Sequence, residues 1–176
     1  MENALHITAI WLHILGIALF VGPQFFLAYA WVPASRQITD LPERIQAMRT
    51  ITRRFGYVGG IGLGLIFTAG LYLFANWRNY YAQHDAGFFE LRYGVIFVIK
   101  MCVLAVMLAS LALHMFIVGP KLIDRLEAQA NGEPVTEAEL RRLRIRSMTL
   151  SIASLALTLV IMVMGAMLNT YKFSQQ

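Results

Sequence analysis

Long apolar segments alternate with short polar segments along the chain. Four of them, at about residues 4–32, 57–76, 93–118 and 148–169, are apolar over roughly the 20 residues that a helix needs to cross a hydrocarbon core. Helices also satisfy their own backbone amides, which lipid demands. The pattern predicts an all-α fold, a polytopic integral membrane four-helix bundle, in which residues 1–176 form a single transmembrane domain.

Composition and charge agree with this prediction, and the distribution of charge also indicates how the helices are oriented in the membrane. Hydrophobic residues make up 58% of the 176 residues and charged residues only 14%, which is far from the composition of a soluble domain. The net charge is +5, and the cations concentrate in the segments 33–56 and 119–147. The positive-inside rule places both segments in the cytoplasm and both termini outside (N-out/C-out). The expected partner is therefore the lipid bilayer, including anionic lipid, and not nucleic acid.

The second basic segment has its own helix signals. It breaks at Asn131-Gly132 and Pro134, after which Thr136 and Glu139 have the spacing of a capping box that opens a basic helix. These signals predict a helical hairpin that lies on the membrane surface. The alternative is a docking surface for a partner.

Glycines mark one face of the second span. Gly56, Gly60 and Gly64 recur every four residues, which predicts close approach of a neighbouring helix. The same face would also admit something flat and bulky, such as a porphyrin, or a second protomer in a homo-oligomer.

One face of the fourth span is small and polar, so it should point into the bundle. Its members are Ser147, Ser151, Ser154, Thr158, Met162, Gly165 and Asn169. Three methionines, Met162, Met164 and Met167, cluster near the outer end of this span. They would either fill gaps in the core or offer a thioether to a soft metal.

Three ionisable side chains stand out inside the apolar spans: His13, Lys100 and His114. Such a residue costs about 2.5–3.5 kcal/mol on insertion scales and therefore normally faces the protein interior. Lys100, Met107 and His114 recur every seven residues, so they should share one face of the third helix. No carboxylate pair, phosphate loop or zinc pattern accompanies them.

Helix rise fixes the expected depths of these side chains. His13 and Lys100 should lie at similar depth in the outer half of the membrane, level with Thr68 and Met162. His114 should lie about 20 Å deeper than Lys100, near the cytoplasmic face. The basic side chains within its expected reach are Arg53, Arg54 and Lys121.

This set suits a bound cofactor. Imidazole on an apolar helix is a good haem-iron ligand, and bundle cores commonly house haem. We expect His13 to bind the cofactor, with Lys100 close by. For His114, the competing role is a hydrogen bond to a backbone carbonyl. Arg78 and Arg92, at the outer rim, would face haem propionates. The aromatic residues expected near His13 are Trp11, Phe20 and Tyr72.

Three stretches carry a family resemblance. IWLHILGIALFVGPQFFL resembles the first helix of the copper-resistance D (CopD) superfamily and of HemJ-type protoporphyrinogen oxidases. RRFGYVGGIGLGLIFTAGLYLF resembles their second helix, and LRYGVIFVIKMCVLAVMLASLALH resembles a third helix with lysine followed by histidine. The fourth helix matches only in character, and the lysine-to-histidine spacing is longer than in the HemJ branch.

Each branch implies a function in the bacterial inner membrane. The HemJ branch implies bound haem b and electron transfer or oxidation of protoporphyrinogen, with a porphyrin substrate or redox partner, at His13, Lys100 and His114. The CopD branch implies copper transport. Its Cu(I) ligands would come from His13, Met101, Cys102, Met162 and Met164. A third hypothesis is a small structural subunit of a larger membrane complex.

Overall fold

The regular structure is helical throughout the part of the chain that the computed structural model describes, residues 2–81, 87–170 and 174. The α-helices are α1 Glu2–Phe26, α2 Val32–Ser35, α3 Leu41–Ala75, α4 Trp77–Tyr81, α5 Arg92–Leu113, α6 Gly119–Ala130 and α7 Glu137–Asn169. Two π-helical turns, Leu27–Trp31 and His114–Val118, join α1 to α2 and α5 to α6. The all-α prediction is confirmed for these residues.

Within the described residues, four continuous helices are long and apolar enough to cross a membrane. They run over Asn3–Ser35, Leu41–Ala75, Arg92–Ala130 and Glu137–Asn169, and each contains one predicted span. Their most apolar windows are only 6–28% buried inside the protein, so most apolar side chains face outward. An apolar surface of this extent is the kind that lipid covers.

The first basic segment differs from its prediction, because most of what was expected as a loop is helix. Leu41–Ala75 is one continuous helix that begins well before the second span. Its start is encoded locally: the Asp40 carboxylate accepts a hydrogen bond from the Glu43 N–H at 3.2 Å, and Pro42 lies in the first turn.

Both π turns precede a proline. In each, the residue after the turn donates its N–H to the carbonyl five residues back, and Pro33 or Pro120 comes next. Proline has no N–H, and its ring would collide with the carbonyl four residues earlier in a regular helix. A turn widened by one residue moves that carbonyl aside and lets the helix continue.

Helices α1 and α3 cross at a pair of glycines, Gly16 and Gly62. A Cβ built on Gly62 would lie 2.8 Å from the Gly16 carbonyl oxygen, so two backbones are in contact there. The close helix approach predicted at the other glycine face is wrong within this chain: a Cβ on Gly60 or Gly64 would meet nothing within 4 Å, and one on Gly56 would meet only a Met115 side chain.

A small helical bundle lies at the end of the molecule where α3 begins. Its core consists of Ile45 from α3, Leu122 and Leu126 from α6, and Leu140 and Leu143 from α7. The helical part of the predicted hairpin is confirmed, since α6 and α7 pack together through this core. So is its cap, since the Thr136 hydroxyl accepts a hydrogen bond from the Glu139 N–H at 3.3 Å.

Candidate functional site

A cavity of about 500 Å³ lies between the four long helices in the half of the bundle that contains the N-terminus of α1. Cavities of this size are typical of small-molecule and cofactor sites. Most of its lining side chains are apolar, and the polar ones are His13 on α1, Lys100 on α5, and Thr158 and Asn169 on α7.

Aromatic rings close one end of the cavity. Phe74 and Phe97 stack with their centroids 4.5 Å apart, and Tyr93 stacks on Trp77 at 5.6 Å. Phe74, Phe97 and Tyr93 also line the cavity. Rings packed in this way bury large apolar areas and have few rotamers, so they make a firm wall.

The other end of the cavity rests on the apolar core of the bundle. Phe20 and Met107, each only 2% exposed, meet there with Val21. Phe20 packs over Gly59 and next to Gly62, so the close crossing of α1 and α3 fixes its position. The cavity is therefore shut off from the basic end of the molecule by packed side chains.

His13 is held in a defined orientation on the cavity wall. Its Nδ1 lies 3.1 Å from the Ile66 carbonyl oxygen, and its ring lies against Gly70, whose added Cβ would be 3.3 Å from Cε1. A carbonyl oxygen only accepts hydrogen bonds, so Nδ1 carries the hydrogen and donates it. The Nε2 lone pair is then available to a ligand, which is the arrangement usual for metal-binding histidines.

Lys100 lies on the same cavity. It is close enough to His13 for an electrostatic interaction, and a Cβ on Gly165 would be 3.8 Å from its Nζ. Among the residues that the structure describes, no carboxylate lies within ion-pair distance of Lys100. A lysine in an apolar cavity is costly unless something balances or uses its amine.

Two methionines on the cavity could also act as metal ligands through their thioether sulfurs. Met101 and Met162 line the cavity, although Met162 is also 41% exposed. Cys102 is exposed and lies outside the cavity lining. No group of three or more histidine, cysteine or acidic side chains with metal-binding geometry occurs among the described residues.

His114 lies apart from the cavity. Its Nε2 is 3.2 Å from the hydroxyl oxygen of Ser151 on α7, which is its partner in place of the basic residues expected. Its Nδ1 is buried and has no hydrogen-bond partner among the described residues. Fourteen residues separate it from Lys100, or about 21 Å along a helix.

Arg92 also lies outside the cavity lining. It is the exposed first residue of α5, and its neighbour Tyr93 contributes to the cavity instead. Arg78 is an exposed residue of α4, and its guanidinium carbon lies 5.8 Å from the centroid of the Trp77 ring.

Some residues expected beside His13 face elsewhere. Thr68 is exposed and donates to the Gly64 carbonyl of its own helix at 2.8 Å. Trp11 is 59% exposed, and Tyr72 is not part of the cavity lining, whereas Phe20 is.

Two contributors to the site were missed in the sequence: the Ile66 carbonyl, which orients His13, and Gly70, which makes room for its ring. The available clue was that Gly70 lies at the depth of His13. A backbone carbonyl leaves no trace in a sequence.

Comparisons of the chain with protein-family models, with curated proteins and with solved structures gave no match. The resemblance to the CopD and HemJ families therefore stays a prediction.

Proposed function

We propose that this chain is a haem b-binding redox protein of the bacterial inner membrane, HemJ-like, that acts in electron transfer or in protoporphyrinogen oxidation. The imidazole of His13 would bind the haem iron. One observation carries the proposal: the hydrogen bond from His13 Nδ1 to the Ile66 carbonyl leaves Nε2 free on the wall of an apolar cavity of about 500 Å³.

The lining residues fit the chemistry of haem. A porphyrin is a flat apolar ring, and stacked aromatic side chains such as Phe74 and Phe97 offer it a flat apolar wall. When bound, haem b supplies one-electron iron chemistry, whose potential depends on axial ligands and burial. The protein's part is to hold the ring and keep water out.

The position of Lys100 in the apolar cavity also supports the proposal. Its amine would be either a second axial ligand or the cation that pairs with a propionate or with a carboxylate of an anionic porphyrin substrate. Either role offsets the cost of placing lysine in the apolar cavity, where no described carboxylate does so. Arg92, at the outer end of α5, would serve a propionate nearer the water.

His114 takes a separate role in this proposal. At about 21 Å from Lys100 along the helix, it would act as a second-site ligand or as a proton-relay group on the cytoplasmic side. Its Nε2 lies next to the Ser151 hydroxyl, and its buried Nδ1 has no hydrogen-bond partner among the described residues. The orientation with both termini outside follows from the basic residues at the α3, α6 and α7 end.

Copper transport is the second candidate, because one observation favours it. His13, Met101 and Met162 all line the same cavity, and imidazole and thioether groups suit Cu(I). Cys102, the softest donor in the chain, is exposed and outside the lining. A packing role in a larger complex would leave the cavity without a ligand.

The test is ligand binding by purified protein in mild detergent. Oxidised and dithionite-reduced spectra, with a pyridine haemochrome assay, should show b-type haem, either as purified or after titration with haemin. His13→Ala should lose the spectrum, and Lys100→Ala should shift or weaken it. His114→Ala is the comparison variant, because His114 lies outside the cavity lining, and it should keep the spectrum of the haem held at His13.

Copper is tested in parallel by titration with Cu(I). Absence of a Soret band even after haem supplementation would reject the haem proposal. Cu(I) binding that is lost in both His13→Ala and Met162→Ala would then favour copper, and binding of neither ligand would favour the packing role.

A further inference from the structure

A second concave site lies far from the cavity that contains His13, at the basic end of the molecule. It is a cleft of about 270 Å³ between α6 and α7. Three cations line it: Lys121 from α6, and Arg142 and Arg146 from α7. The two arginines are four residues apart, so they project from the same face of α7.

These three cations lack the acidic partners that their neighbours have. Arg49 pairs with Glu127 at 2.6 Å, and Arg125 pairs with Glu139 at 3.0 Å. Among the described residues, no carboxylate lies within ion-pair distance of Lys121, Arg142 or Arg146.

Glu139 also lines the cleft, but Arg125 compensates its charge. Like charges one helical turn apart repel each other. The cleft therefore concentrates uncompensated positive charge, which an anion would stabilise.

The position of the cleft indicates which anion. Lys121 comes three residues after Val118, where the third predicted span ends, and Arg146 comes two residues before Met148, where the fourth begins. In a chain that spans a bilayer, these side chains lie at the depth of the lipid headgroups. Phosphate is the anionic group found at that depth, and arginine binds it with paired N–H donors.

We propose that this cleft is a binding site for the phosphate of an anionic phospholipid headgroup. Arg142 and Arg146 hold the phosphate, and Lys121 closes the site from α6. The lipid would tie the α6–α7 hairpin to the membrane surface. The proposal requires that the chain spans a membrane, and it is independent of haem.

Native mass spectrometry of the protein in mild detergent tests it, with phosphatidylglycerol and phosphatidylcholine as the two probes. The wild type should bind phosphatidylglycerol more tightly. The double variant Arg142→Gln/Arg146→Gln should lose about 25-fold in that affinity, at roughly fivefold for each cation removed near the membrane surface. Its affinity for phosphatidylcholine, in which the choline cation offsets the charge of the phosphate, should fall much less.

The matched control is Arg141→Gln/Arg144→Gln. It removes the same charge from the same stretch of α7, but neither residue lines the cleft. It should keep the wild-type affinity, and both double variants should keep the wild-type melting temperature when no lipid is added.

Three results would overturn the proposal. The first is equal binding of the two lipids by the wild type. The second is an equal loss of affinity in the two double variants, which would mean that net charge alone attracts the lipid. The third is displacement of phosphatidylglycerol by an equal concentration of inorganic phosphate, which would make the site one for a free anion.

Discussion

Alanine should be tolerated at Gly60 of α3 but not at Gly62, which lies two residues further along, where α3 crosses α1. A Cβ at Gly62 would lie 2.8 Å from the Gly16 carbonyl oxygen and 2.9 Å from the Phe20 backbone nitrogen. A Cβ at Gly60 would meet nothing within 4 Å. We therefore predict that Gly62→Ala destabilises the protein relative to Gly60→Ala.

The size of the effect follows from the overlap. Ordinary contact begins at 3.4 Å, so Gly62→Ala must separate the two backbones by about 0.6 Å, the difference between 3.4 and 2.8 Å. Overpacking of this kind costs about 1–3 kcal/mol. Replacing glycine by alanine also favours helix by up to about 1 kcal/mol, but this gain is common to both variants and cancels. The expected difference in the free energy of unfolding is about 1–3 kcal/mol.

Unfolding by sodium dodecyl sulfate in mixed micelles, followed by far-ultraviolet circular dichroism, measures this difference. Gly60→Ala should be at least as stable as the wild type, and Gly62→Ala should unfold at lower detergent fraction. Equal stability of the two variants, or a less stable Gly60→Ala, would refute the crossing and restore the face with Gly56 and Gly64 as the packed one.

Three further predictions concern the site and the small bundle. Nitrogen NMR of ligand-free protein should show His13 protonated at Nδ1 and not at Nε2, because Ile66 accepts at 3.1 Å; the opposite tautomer would contradict the proposed ligand geometry. Gly70→Ala, whose Cβ would lie 3.3 Å from His13 Cε1, should weaken haem binding severalfold in a haemin titration with little change in stability; wild-type affinity would show that the ring does not need this space. Leu140→Ala should cost about 2–5 kcal/mol because Leu140 is fully buried, whereas Arg49→Ala removes an exposed ion pair and should cost less than about 1 kcal/mol. Similar losses of unfolding free energy in these two variants would contradict that ranking.

The four long helices were predictable from sequence because length and apolarity are properties of the chain alone. The cap at Thr136 was predictable for a similar reason, since it involves only residues three apart. The helix through residues 41–56 was missed because its charged residues resemble those of a loop. Its stability comes from Ile45 packing against α6 and α7, which is a tertiary contact.

The depth of each candidate side chain along its helix was predictable from the sequence, but the direction in which the side chain faces was less so. Counting residues along the helices placed His13 and Lys100 at one level, and the structure puts both on one cavity. The same count placed Thr68 there, yet its side chain faces away. Helix rise determines height, but the rotation of a helix depends on which face its neighbours contact.

The glycine face shows the same limit. Spacing alone favoured Gly56, Gly60 and Gly64, whereas the actual crossing uses Gly62 with Gly16 on another helix. One sequence does not reveal which glycine meets which partner. The role of the Ile66 carbonyl was equally hidden, since every residue has one.

The most direct test of the central claim is pulsed electron paramagnetic resonance of the oxidised haem-loaded protein, prepared with and without ¹⁵N-histidine. Beside the couplings of the four porphyrin nitrogens, we predict a further nitrogen coupling to the iron that changes with the histidine label. It should occur in the wild type and in His114→Ala, and it should be absent from His13→Ala, whether or not haemin still binds to that variant. The absence of any label-sensitive coupling in the haem-loaded wild type, or its survival in His13→Ala, would contradict His13 as the haem ligand.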